Sequence, residues 1–203
     1  MYVLIEDGNI TKHFQNPKGF TLNDNQYPAS IFNKWSKEEK EAIGIYEVVI
    51  DSTNYKDTNY YINTNEQYSF ANNVVTKSWG IATPKSLVDE NVVDEDGNPI
   101  LEDGVQVIDY GLKTEKKKIV KQQASGLLAP TDWHIVKATE VAEYNVPANI
   151  LSFRADVRSK SNEMETQIDS CTTVDELKAL YEYTEQEDGT LKRPLAEFPK
   201  EVI

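Results

Sequence analysis

The sequence predicts an α+β protein, with short antiparallel strands in residues 1–110 and a helical hairpin followed by an extended tail in residues 111–203. Three observations carry this. The first half alternates Tyr-, Val- and Ile-rich runs with Asp-Gly and Asn-rich turn signals. The second half repeats apolar residues at steps of three and four. Ser36 with Glu39, and Thr173 with Glu176, have the spacing of capping boxes, which mark helix starts.

In order, Tyr2–Glu6 and Asn9–Phe14 read as strands paired across Asp7-Gly8. Residues 15–30, rich in Asn, Gly and Pro, read as loop. Ser36 opens a helix of about two turns that ends before Gly44. A helix that short needs packing to hold it, expected from Ile31, Trp35 and Ile43. Ile45–Ile50 follows as a strand. Tyr60–Ile62 and Gln67–Phe70 are expected to form a hairpin around Thr64-Asn65, and Val74–Ile81 a further strand carrying Trp79.

Residues 86–112 contain no Lys or Arg and are rich in Asp and Glu, with turns at Asp96-Gly97-Asn98-Pro99 and Asp103-Gly104. A calcium loop counted from Asp94 would need glycine at position six and glutamate at twelve. Here Gly97 stands at four and Val105 at twelve. The stretch therefore reads as an exposed acidic hairpin, with Asp94, Glu95 and Asp96 as candidate contacts for a basic partner.

A first long helix is expected over Thr114–Leu128, with Ile119, Val120, Gln123 and Leu127 on its packed face and Leu112 near its start. Ala129-Pro130 stops it. Thr131, Asp132 and Trp133 read as a core turn, with Trp133 closing the open end of the hairpin and Thr131 or Asp132 bonding nearby backbone amides. After a short connector, Asn145 caps a second helix with Pro147 in its first turn. Ile150, Phe153, Val157, Met164 and Ile168 form a seam along it, expected to pack on the first helix. Thr173 opens a short third helix, and the tail is turn-rich.

Composition narrows the function classes. The formal net charge of −13 over 203 residues repels polyanions, so no nucleic-acid partner is expected. The Lys113–Lys121 cluster reads as a solvated helix face. No secretory leader or membrane-spanning run is evident. The single cysteine, Cys171, allows no internal disulfide and is expected to be buried. His13 and His134 have no metal-ligand spacing, and no phosphate loop or nucleophile motif is present, so no catalytic residues, metal or cofactor are expected. Two carboxylates across a cleft would suffice for a glycosidase, which keeps an enzyme acting on host polysaccharide as a remote alternative. Eleven tyrosines offer amphipathic surface of the kind found at protein–protein interfaces.

The run Leu127-Leu128-Ala129-Pro130-Thr131-Asp132-Trp133 resembles a motif of small tailed-bacteriophage proteins, in which a helix ending Leu-Leu meets a Thr-Asp-Trp turn. In that family a proline-started helix then carries a pattern similar to Phe153-Arg154-Ala155-Asp156-Val157-Arg158, here after Pro147, and a Pro-containing apolar tail that Phe198-Pro199 matches. The family is the phage tail assembly chaperones, related in layout to tail-fibre assembly proteins. Tyr27-Pro28 through Ile45-Tyr46 also resembles the leading part of phage tail proteins. The resemblance implies a non-enzymatic tail protein located in the virion tail and assembled in the host cytoplasm. Its implied partners are tail-fibre or baseplate proteins, with further copies of itself possible in the assembly. A tail-fibre assembly chaperone that departs afterwards is the alternative. The family offers no catalytic residues.

Overall fold

The structure is a computed structural model that describes residues 1–200. It is α+β, and the chain divides into two units, Met1–Thr83 and a second beginning at Pro84.

In the first unit, β1 (Tyr2–Glu6) and β2 (Asn9–Phe14) form the expected hairpin, with Asp7 and Gly8 both at positive φ. Residues 15–30 are not all loop. β3 (Phe20–Leu22) and β4 (Asn25–Tyr27) pair across Asn23 and Asp24, whose φ values of 46° and 63° suit such a turn. Strands of three residues are too short for alternation to reveal. A short α1 (Ile31–Lys34) precedes α2 (Lys37–Glu41), which carries the full Ser36–Glu39 capping box. Gly44, at φ +79°, accepts a hydrogen bond from the Ile5 amide on its carbonyl; a Cβ there would lie 2.6 Å from the Ile5 oxygen.

β5 (Ile45–Ile50) then joins β1. β6 (Tyr61–Ile62) lies outside the main sheet, so the hairpin expected around Thr64-Asn65 does not form. Instead β7 (Gln67–Ala71) pairs with β8 (Val74–Ser78) across Asn72-Asn73, both in the left-handed region. Two consecutive asparagines tolerate that region together, which favours this turn over one around Asn65. β8 ends at Ser78, so Trp79 is not on the strand; it packs edge-on against Tyr55, and Ile81 is 84% exposed.

The five-stranded sheet has order β2-β1-β5-β8-β7; β5 and β8 are parallel and the other junctions antiparallel. Strand alternation splits its apolar residues between two clusters. Val3, Val48 and Val75 pack with Tyr46, Tyr68 and Phe70. Leu4, Phe14, Phe20 and Ile45 pack with Ile31, Phe32, Trp35 and Ile43, as expected for the residues holding the short helix.

In the second unit, α3 (Leu112–Leu128) packs on α5 (Ala148–Ser170). Residues 84–110, assigned from sequence to the strand-rich half, are tied to the start of α3. The Leu112 amide donates to the Ser86 carbonyl at 3.0 Å, and the Asp89 carboxylate accepts from the Gly111 amide at 2.8 Å and from the Thr114 hydroxyl at 3.0 Å. The packed face of α3 matches expectation at Val120 and Leu127 and differs elsewhere. Leu112, Val120 and Ala124 are buried, whereas Ile119 is 46% exposed and Gln123 is exposed. The four-residue step counted from Leu112 sets the face, and small Ala124 lets α5 approach.

The α5 seam is as expected, with Ile150, Phe153, Val157, Met164 and Ile168 all buried. Its start is not capped by Asn145. Pro147 occupies the cap position with extended ψ, and its carbonyl accepts from the Leu151 amide. Thr173 and Glu176 form the second capping box, opening α6 (Val174–Ala179). The tail holds a small hairpin, Thr184–Glu185 with Leu191–Lys192, then buries Leu195 and packs Phe198 on the Ala124–Phe153–Val157 cluster.

Cys171 is buried at the end of α5, and burial pushes its thiol above the ordinary value. It is expected to react with a disulfide reagent much more slowly in the folded than in the unfolded protein; equal rates would show an accessible thiol. As pH rises, the unfolded chain ionises this thiol first. Its contribution to stability is therefore full below the ordinary thiol pKa and is lost through the raised one.

Candidate interaction surface

The two motif stretches of the second unit meet. Ala129–Thr131 forms a single 3-10 turn containing Pro130, and α4 (Asp132–Glu140) follows directly. Thr131 is buried and donates its hydroxyl to the Leu128 carbonyl at 2.8 Å. From α5, the buried Arg154 guanidinium donates to the Leu128 carbonyl at 3.0 Å and to the Thr131 hydroxyl at 2.6 Å. It also pairs with the Asp132 carboxylate at 2.8 Å. Beside it, Phe153 packs on Leu127 and Leu128, and Arg158 donates to the Arg154 carbonyl at 3.2 Å. A planar cation with several donors suits this place, because a turn presents a carbonyl, a hydroxyl and a carboxylate at once.

Two expectations are corrected here. Thr131 and Asp132 bond a carbonyl and a guanidinium, not backbone amides. Trp133 does not close the hairpin: it is 53% exposed and lies on α4, a nine-residue helix where a turn and short connector were expected. Pro130 served as a stop signal in the sequence, yet proline also favours helix starts, and that property decides the local structure. The sequence held the missed helix in Trp133, Val136, Lys137 and Glu140, spaced for one helical face.

No residue of α4 is buried. His134 and Ala138 are half-buried, and Trp133, Ile135 and Val136 are exposed. The exposed end is nonetheless ordered by its own contacts. The rings of Trp133 and His134 stack at 3.7 Å, the His134 Nδ1 hydrogen-bonds the Tyr144 hydroxyl, and the Lys137 ammonium sits 4.3 Å from the Tyr144 ring centroid. An aromatic surface held in place before binding loses little conformational entropy when covered.

The acidic candidates lie elsewhere in this unit. Asp94 accepts from the Asp96 and Asn98 amides and holds its turn, and these bonds lower its pKa, the Asn98 backbone bond first. Glu95 and Asp96 are exposed, as Asp94 is. Among the described residues, no three His, Cys, Asp or Glu side chains gather to hold a metal ion, and no helix is long and apolar enough to cross a membrane.

No protein-family model, curated protein or solved structure matches the chain.

Proposed function

We propose that the chain is a non-enzymatic tail protein of a tailed bacteriophage, a structural adaptor that joins a tail-fibre or baseplate protein through α4 and the Trp133–Tyr144 surface. The observation that carries the reading is Arg154. It binds the Leu128-to-Asp132 turn to α5, so the two sequence stretches that resemble the phage family form one built unit. That unit turns Trp133 outward. A nine-residue helix with no buried residue gains little from packing, and such a helix is marginal in water. Cover by another protein supplies what it lacks, and an exposed tryptophan is the residue type most often dominant at such contacts.

Mass spectrometry of washed virions tests the placement. The chain at fixed stoichiometry supports an adaptor, its presence only in infected-cell lysate supports a departing chaperone, and no co-purification with any tail component defeats the reading. Trp133→Ala is expected to change unfolding stability by no more than about 0.5 kcal/mol, as an exposed position should. It should weaken capture of the co-expressed tail protein by roughly thirtyfold, the effect of a contact worth about 2 kcal/mol. Unchanged capture would remove α4 from the interface.

A further inference from the structure

Residues 84–110 form an arm without a core of its own. No residue between Thr83 and Tyr110 is buried. The arm is nonetheless well formed. Glu90–Asn91 pairs with Ile108–Asp109, Leu101–Glu102 pairs with Val105–Gln106, and the Gln106 amide donates to the carbonyls of Val92, Ile100 and Val107. Leu101 pairs with Gln106 and Val105 with Glu102, so the two apolar side chains stand on opposite faces of the hairpin. Both are exposed, Val105 to 69%. Glu102 pairs directly with Val105, and Glu95 and Asp96 are exposed in the neighbouring turn of the same arm. Isolated hairpins of this size are marginal in water.

The same unit holds a surface of matching chemistry. An open groove of about 1070 Å³ runs along α3; three lysines, Lys117, Lys118 and Lys121, line it with one acid, Glu115, and with Ile119 and Tyr110. Ile119 and Tyr110 are exposed within it. Lys117 and Lys121 reach back to Asp169 at 2.8 Å and Glu165 at 3.3 Å on α5, which anchors the groove wall. Lys118 makes no ion pair among the described residues.

We infer that the acidic arm of one copy docks in the α3 lysine groove of a second copy, joining chains head to tail. Acids meet lysines while Leu101 or Val105 meets Ile119, so charge and apolar surface match together. Because the arm and the groove are different patches, the contact is heterologous, and repetition gives a ring or a filament according to the rotation per step. The contact needs only copies of this chain and holds whether or not a tail protein binds α4.

Salt dependence is distinctive. Each copy carries a net charge of −13, so whole-molecule repulsion opposes association at very low salt. At about 0.1 M the screening length is about 10 Å, which removes most long-range repulsion but spares contacts at a few ångströms. At 1 M it is about 3 Å, and the contacts weaken too. Sedimentation velocity over a concentration series is expected to show self-association strongest near 0.1 M.

Two charge reversals test the surfaces. The arm variant is Glu95→Lys, Asp96→Lys and Glu102→Lys; it spares Asp94 and Asp103, which hold the turns. The groove variant is Lys118→Glu with Lys121→Glu. Either alone is expected to weaken association at least tenfold. An equimolar mixture should restore it, since each variant then meets an opposite charge on the other. Circular dichroism establishes that both are folded, and Glu102→Gln with Lys118→Gln gives milder versions of the same test. A wild type that stays monomeric at every salt overturns the inference. So does association unaffected by either reversal, or a mixture that fails to recover.

Discussion

Replacing Phe153 with alanine is expected to lower the free energy of unfolding by about 3–5 kcal/mol, the range for a buried phenylalanine whose removal leaves a cavity. The ring is 4% exposed and lies at the centre of a cluster made by Ala124, Val157, Leu127, Leu128 and Phe198. These neighbours come from three separate parts of the second unit: the two packed helices and the tail. None can close the gap alone, because α3 and α5 are held at fixed separation by the rest of the seam. Leu151, two residues away but exposed, provides the control. Its alanine variant should lose little, as exposed positions do. Denaturant unfolding of both variants gives the comparison. A small loss at Phe153 would mean that the seam is not a core in the isolated chain.

Asp132→Asn is expected to cost about 2–3 kcal/mol, and adding Arg154→Met to the same chain is expected to restore most of that loss. The reason is the asymmetry of buried ion pairs: removing one partner strands a charge, whereas replacing the ion with an apolar side chain of similar length is often neutral. Arg154 is buried, so without Asp132 its charge is met only by the Leu128 carbonyl and the Thr131 hydroxyl. The loss stays below that of a fully buried pair because the Asp132 side chain is 59% exposed and water can replace part of its carboxylate. With Met at 154, the Leu128 carbonyl still accepts from Thr131, so no acceptor is left bare. A double-mutant cycle in denaturant separates the outcomes. If the double variant is less stable than Asp132→Asn alone, Arg154 stabilises mainly through its bonds to the turn rather than needing its counter-charge.

Where the sequence was readable, each element had a strong local signal. The Asp7-Gly8 hairpin, both capping boxes, the Ile45–Ile50 strand and the α5 seam fall where turn chemistry and periodicity put them. The failures have particular causes. β3 and β4 are three residues each, too short for alternation to register. The expected face of α3 took Ile119 and Gln123 as packed and passed over Ala124, whereas close approach to α5 favours the smaller residue over the more apolar one. At the candidate surface, the residues of the Leu127–Trp133 motif were identified but their roles were not. A buried Arg154 reaching a turn 23 residues earlier at Thr131 is a long-range contact with no local trace. Reading Trp133 as core followed from its size, yet the half-buried positions on α4 are His134 and Ala138.

The parallel junction between β5 and β8 constrains how the first unit is made on the ribosome. β1, β2 and β5 can pair as soon as Ile50 has emerged, since their junctions need only chain already synthesised. The partner of β5 on its other side comes from Val74–Ser78, and a parallel partner cannot be reached by a tight turn. During that interval Val48, Val49 and Ile50 lie along an open strand edge, a template for pairing with any other extended segment nearby. Translation speed across residues 51–73 therefore sets how long the nascent chain remains sticky. A chain cut short within that stretch would keep the open edge permanently and is a substrate for chaperones or for aggregation.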